Sequence, residues 1–303
     1  MPDSCLLKGE ILIDYTGKDV SMTTKCPAKL LLTVMASLLT LVMCGCDHYV
    51  GVEWVVDYSA VGKWSPPCRD DCAVGFYDTI RTHPDWKGRF NRGDADTWEE
   101  HFKCVAMGGT DPDWIDDVDF AYFAGHGAGP GTVPTGVGRG GGFTLGVDAH
   151  DDWVLAAIPG NREPRWGDGK LEWIVLDVCS ALALKTDGDG VEYLLGERWA
   201  NPDVMHGLHY ILGFRTSAGD SCDRGRLFAE YLTGVRDGTK YTVREAWRRA
   251  TEDTEGSSTQ GAYLRAYSPG RDTYNDHIYE YGSVSEDPDP ASQNYYHYSW
   301  PCY

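Results

Sequence analysis

Two residues of this 303-residue chain have the type and setting for nucleophilic catalysis, His126 and Cys179. His126 closes the apolar run Phe120-Ala121-Tyr122-Phe123-Ala124-Gly125-His126-Gly127. Cys179 closes a second run, Leu171-Glu172-Trp173-Ile174-Val175-Leu176-Asp177-Val178-Cys179. A Cys thiolate is a strong nucleophile, and an imidazole within reach can take its proton and return it to a leaving group. Each residue also has an ordinary reading when taken alone. A strand end often carries a polar side chain, and a free Cys packs well as a small hydrophobe. Their order and matching settings favour a working pair.

Something must hold such a pair in register. Short apolar runs of this kind suit strands buried on both faces. Open α/β sheets place their chemistry at the C-terminal ends of such strands. The remaining pattern agrees with an α/β fold. Val50 to Tyr58 alternates and is rich in β-branched residues, which predicts a first strand. Strands are expected over 120–124, 172–178 and 209–214. Helices are expected around Thr97–Phe102, near Tyr193–Trp199, and over Arg226–Leu232 and Val243–Ala250, where apolar residues recur at helical spacing. The connection from Gly127 to Lys170 is glycine-rich and carries no Gly-Lys-Ser/Thr end, so a phosphate loop is not expected. From Asp47 onward no linker or internal repeat divides the chain, so 47–303 is read as one domain. Its tail from Tyr274 is rich in tyrosine and suits edge strands.

A strand ending in His-Gly, a strand ending in Asp-x-Cys 53 residues later (179 − 126), then a strand and helices, resembles the caspase-like cysteine peptidases. That group includes caspases, metacaspases, gingipains, legumain and the separase-like CHAT domains. The resemblance covers about residues 50–255 as an order of elements, and its specific part is the two short motifs. It implies a three-layer sandwich, a mostly parallel central sheet flanked by helices. It implies an endopeptidase acting through an acyl-enzyme, with Cys179 as nucleophile and His126 as acid and base. Gly127 would supply the oxyanion hole through its N–H, and Asp177 would line the substrate pocket and favour Arg or Lys before the scissile bond. The family often continues Cys-x-Ser-Gly, whereas Cys179 is followed by Ser180-Ala181-Leu182. Arg139, Arg162 and Arg165 would then be candidate self-cleavage points. The alternative is a catalytically inactive caspase-like surface module that binds a protein or glycan partner through the tyrosine-rich tail.

The N-terminal 46 residues read as an upstream extension plus an export signal. Lys25 and Lys29 precede an uncharged apolar run from Leu30 to Met43, the pattern of an export signal and too short for a span. Met43-Cys44-Gly45-Cys46 resembles a lipobox with Cys46 as lipid acceptor, although Cys44 stands where a small residue is usual. Met22 is the expected start. The protein is thus expected to be exported, surface-anchored or secreted. Outside the cytoplasm disulfides are permitted. Among the 10 cysteines, Cys68 and Cys72 suit a local bridge, and Cys222 suits one with Cys179 or Cys302. The net charge of −19 argues against nucleic acid as a partner, and the resemblance implies a peptide or protein substrate. No metal or other cofactor is expected. Asp187, Asp189 and Glu192 mark where a calcium ion would bind if one did, but Val191 breaks the EF-hand pattern.

Overall fold

Seven strands form the central sheet of the computed structural model, which describes residues 47–59, 64–128, 142–144, 153–155, 164–186, 192–194 and 199–303. They are β1 (His48–Trp54), β2 (Trp86–Gly93), β3 (Phe120–Ala124), β7 (Trp173–Asp177), β10 (Tyr210–Phe214), β11 (Gln260–Tyr267) and β12 (Asn294–Pro301). Three short strands, β4 (His126–Ala128), β5 (Gly142–Thr144) and β6 (Trp153–Leu155), make a second sheet, and β8 (Leu184–Thr186) pairs with β9 (Glu192–Leu194). The large sheet runs β12-β11-β10-β7-β3-β1-β2. Strands β2, β1, β3, β7 and β10 are parallel, and β11 and β12 join antiparallel. Strand order reverses between β1 and β3, the place where open α/β sheets leave a crevice for ligands. Residues 46–303 form one compact unit.

Strands β3, β7 and β10 are apolar and buried along their whole length because both faces are covered. Alternate residues serve two cores. Phe120, Tyr122, Trp173, Val175, Tyr210 and Leu212 face one, and Ala121, Phe123, Ile174, Leu176 and Ile211 face the other. The first core lies under helices α1 (Arg69–Ile80), α2 (Arg224–Thr233) and α3 (Val243–Thr254). α1 packs tightly on α2 at Gly225, where a Cβ would lie 2.1 Å from the Cys72 carbonyl oxygen. The second core is covered by loops and short 3-10 turns that contribute Phe102, Ile115, Trp166, Trp199 and Met205.

This second layer corrects the expectation of helices on both faces, at least among the described residues. The predicted helix at 97–102 is instead part of a series of 3-10 turns between 94 and 117. Gly108, Gly109 and Pro112 break the segment that follows it, and Asp-rich stretches favour turns over helix interiors. Of the predicted helix near 193–199, residues 193 and 194 belong instead to β9, and 195–198 lie outside the described residues. The first strand ends earlier than its β-branched pattern suggests. Val56 and Asp57 donate their N–H groups to Asp94 Oδ1 at 2.7 and 2.8 Å, which draws the chain out of the sheet.

Residues 1–46, which carry the export reading and Cys46, and the Asp187/Asp189 turn lie outside the described residues, as do Arg139 and Arg162. Among the described residues no helix is long and apolar enough to cross a membrane.

Candidate active site

The parallel register of β3 and β7 pairs Ala124 with Asp177, so the residues that follow each strand leave the sheet side by side. Gly125 N–H reaches the Asp177 carbonyl at 3.4 Å. Two residues on, the chains touch. A Cβ on Gly127 would sit 1.8 Å from the Cys179 carbonyl oxygen, so only glycine allows this approach. The His-Gly and Cys segments therefore meet at the C-terminal edge of the sheet, one strand away from the β1/β3 crevice.

Cys179 is a free, half-buried thiol. The Ala218 N–H points at its Sγ from 3.3 Å, and the thiol lies 3.6 Å from the Ala218 carbonyl. A backbone N–H aimed at sulfur is the kind of donor that a thiolate accepts. The next residue, Ser180, has a left-handed φ of 58°, unusual for a residue with a side chain, and its N–H donates to the Thr216 carbonyl. Non-glycine residues in this region carry strain that their surroundings must hold in place. Here it bends the chain sharply directly after the nucleophile candidate.

His126 is partly exposed and held from two sides by residues that follow β1. Its backbone N–H donates to the Tyr58 hydroxyl at 2.7 Å, and its ring lies 4.4 Å from that of Tyr58. Burial raises the Tyr58 phenol, so it stays neutral. His126 Nε2 lies 2.6 Å from the Trp64 carbonyl, an acceptor only, so Nε2 carries the hydrogen. Nδ1 is then the basic nitrogen of the neutral ring. Neither Tyr58 nor Trp64 was singled out by the sequence.

Asp177 does not line a substrate pocket. It shares the strand parity of Trp173 and Val175, so its carboxylate points into the helix-side core, where it is fully buried. Arg69 reaches Oδ1 at 3.0 Å and Arg224 binds the same oxygen. The Tyr122 hydroxyl and the Cys72 thiol donate to Oδ2 at 2.8 and 3.1 Å. Burial alone would raise this carboxyl, but the two guanidinium groups hold it below the usual range. A carboxylate with two internal cations and no exposure has nothing left for a substrate Arg or Lys. Cys72, expected to bridge Cys68, is instead buried in this cluster, and burial pushes its thiol up to about 12.

The same cluster positions the loop under Cys179. Arg224 pairs with Glu255, and both Arg69 and Arg224 donate to the Gly219 carbonyl. Gly219 N–H returns to the Glu255 carboxylate at 2.9 Å. The loop carrying Ala218 is thus fixed by buried charges on α1, α2 and the end of α3. Cys68 is bonded to Cys222, tying the starts of α1 and α2 together. This replaces the expected 68–72 bridge and leaves Cys179 and Cys302 free. Sequence reasoning missed Arg69 and Arg224, yet a signal existed. Each is the first residue of its helix, where the helix dipole disfavours cations and a buried partner is needed to offset that cost.

Fold and site together define an α/β protein with a thiol and an imidazole on neighbouring C-terminal strand tips. The chain belongs to the family of the domain of unknown function DUF6345, whose model matches residues 52–300. No curated protein matches the sequence.

Proposed function

We propose that the protein is a cysteine endopeptidase of caspase-like fold that works through a Cys179–His126 dyad. The observation that carries this reading is the close contact of Gly127 with the Cys179 backbone, which brings the two motifs to one edge. The parallel core and the 2-1-3 strand order agree with it.

In the proposed cycle the Cys179 thiol gives its proton to His126 Nδ1 and attacks the peptide carbonyl carbon. Negative charge moves onto the carbonyl oxygen, beside the N–H of Gly127. Collapse breaks the C–N bond, and the imidazolium protonates the departing amine. Water then gives a proton to Nδ1 and attacks the thioester, the C–S bond breaks, the carboxylic acid leaves, and the imidazolium returns its proton to the Cys179 sulfur. Tyr58 and Trp64 position the ring and set its tautomer. The Arg/Lys preference has no support once Asp177 is sealed, so the residue preferred before the scissile bond is open. Turnover of a mixed peptide library by the full chain tests the reading. Cleavage by wild type and none by Cys179→Ala is expected, whereas equal cleavage by both would sink it.

The runner-up, a partner-binding module, is favoured by one observation. β12 is an edge strand with Tyr296 and Tyr298 exposed. They border a groove of about 340 Å³ that also takes in Arg244, Arg248 and Arg265. Under that reading Cys179 turns nothing over, and loss of these tyrosines is what abolishes function.

A further inference from the structure

The opposite end of the same strands holds a second cluster that the proposed reaction does not use. Glu172 immediately precedes β7 and His209 immediately precedes β10, and the His209 N–H donates to the Glu172 carbonyl at 2.8 Å. The His209 imidazole is fully buried. Its Nδ1 lies 2.6 Å from Asp276 Oδ2, and Asp276 is itself fixed by the Ser285 N–H at 2.9 Å. Its Nε2 points at Glu172 Oε2 from 2.9 Å and at Asp287 Oδ1 from 3.7 Å. Neither Nε2 nor Glu172 Oε2 has a hydrogen-bond partner of acceptable geometry, although both are buried. The other Glu172 oxygen accepts from the Tyr279 hydroxyl at 3.0 Å.

We propose that Glu172, His209 and Asp287 bind a divalent transition-metal ion of the zinc class. Their ligand atoms all lie within 4.8 Å of one another. Tetrahedral zinc at about 2.1 Å from each ligand would need separations of about 3.4 Å, so small side-chain movements suffice. The surroundings match what a metal-ligating histidine requires. Asp276 on Nδ1 orients the ring and leaves Nε2 as the metal-facing nitrogen, while Tyr279 orients the Glu172 carboxylate. One imidazole and two carboxylates are too few oxygens for calcium, which takes six to eight. Asp287 is the exposed ligand, which provides an entry path. Arg271 is the nearest cation, but its guanidinium turns to the Asp287 carbonyl and to Glu286. The bound ion would clamp the segment between β11 and β12 onto the starts of β7 and β10.

Equilibrium dialysis of the full chain, in a Cys179→Ala background to remove the half-exposed thiol, tests this with Zn²⁺, Mn²⁺ and Ca²⁺ in turn. One Zn²⁺ per chain is expected, with Mn²⁺ weaker and Ca²⁺ not retained. Asp276→Asn should weaken Zn²⁺ about tenfold to a hundredfold. Asp287→Asn should weaken it at least as much. Its side chain is 61% exposed, so this variant should fold even if His209→Ala does not. His83→Ala, in a more exposed His-acid group, should change nothing. Absence of bound Zn²⁺, or binding that survives both Asp287→Asn and Glu172→Gln, would overturn the proposal and leave His209 as a buried imidazolium.

Discussion

β7 carries titratable groups at both ends, and the two ends are built oppositely. At its C-terminal end Cys179 is half exposed and, among the described residues, has backbone groups of Ala218 at its sulfur. At its N-terminal end Glu172 meets a fully buried histidine braced by a second carboxylate. Between these ends lies Asp177, two residues from Cys179, yet sealed by two arginines. Nearness to the sheet edge therefore does not make a side chain reactive. Strand parity decides which residues enter the core, and the backbone bend at Ser180 decides which one escapes it. The N-terminal end buries its imidazole completely, and the C-terminal end leaves its thiol half exposed.

The largest effect should come from breaking the sealed layer. Arg224→Met leaves Asp177 and Glu255 short of a partner inside the protein and should cost about 3–5 kcal/mol in urea unfolding. A change below about 1 kcal/mol would show that these charges do not need each other. Glu53 offers a sealed acid on β1, two strands from β7. Burial raises it to about 7 despite its contact with His101 at 2.8 Å. The folded protein thus holds a proton that the unfolded chain releases near 4.5. Stability from this group is full below that pH and falls as pH rises towards 7, by about 3 kcal/mol. Glu53→Gln should flatten that fall, as chemical denaturation from pH 4.5 to 7.5 would reveal.

Smaller effects should separate the open end from its supports. Replacing Cys68 and Cys222 together by serine should cost about 2–4 kcal/mol, read as a lower denaturation midpoint. Peptide turnover, if present, should survive this change below the new midpoint. Gly127→Ala should cost about 1–3 kcal/mol, because the Cys179 backbone must move to admit the methyl group, and should slow turnover about a hundredfold below the new midpoint. An unchanged turnover rate in the folded variant would mean that the contact is architectural only.

Much of the frame was legible in the sequence. β3, β7 and β10 announced themselves as apolar runs because parallel strands buried on both faces cannot alternate. α2 and α3 were legible from their amphipathic spacing. α1 was not, because Val74, Gly75 and Tyr77 lie off the face that Cys72, Ala73, Phe76 and Ile80 bury and blur its contrast with a polar side. β2 was hidden too, since an edge strand burying only Trp86 and Phe90 along its length has little apolar signal. The meeting of His126, Gly127 and Cys179 could be anticipated from two strand ends. The fate of Asp177 could not, because its partners lie 108 and 47 residues away in sequence. The cysteine pairing failed for the same reason, with Cys68 joined across 154 residues rather than four.

The central claim is that the open end is a working thiol site. Its most direct test is intact-mass and peptide mapping of the reduced full chain after incubation with a set of peptidyl acyloxymethyl ketones differing in the residue before the warhead. One adduct per chain is expected, at Cys179, lost in His126→Ala but retained in Asp276→Asn. Labelling spread over several cysteines, or unchanged at Cys179 without His126, would contradict it.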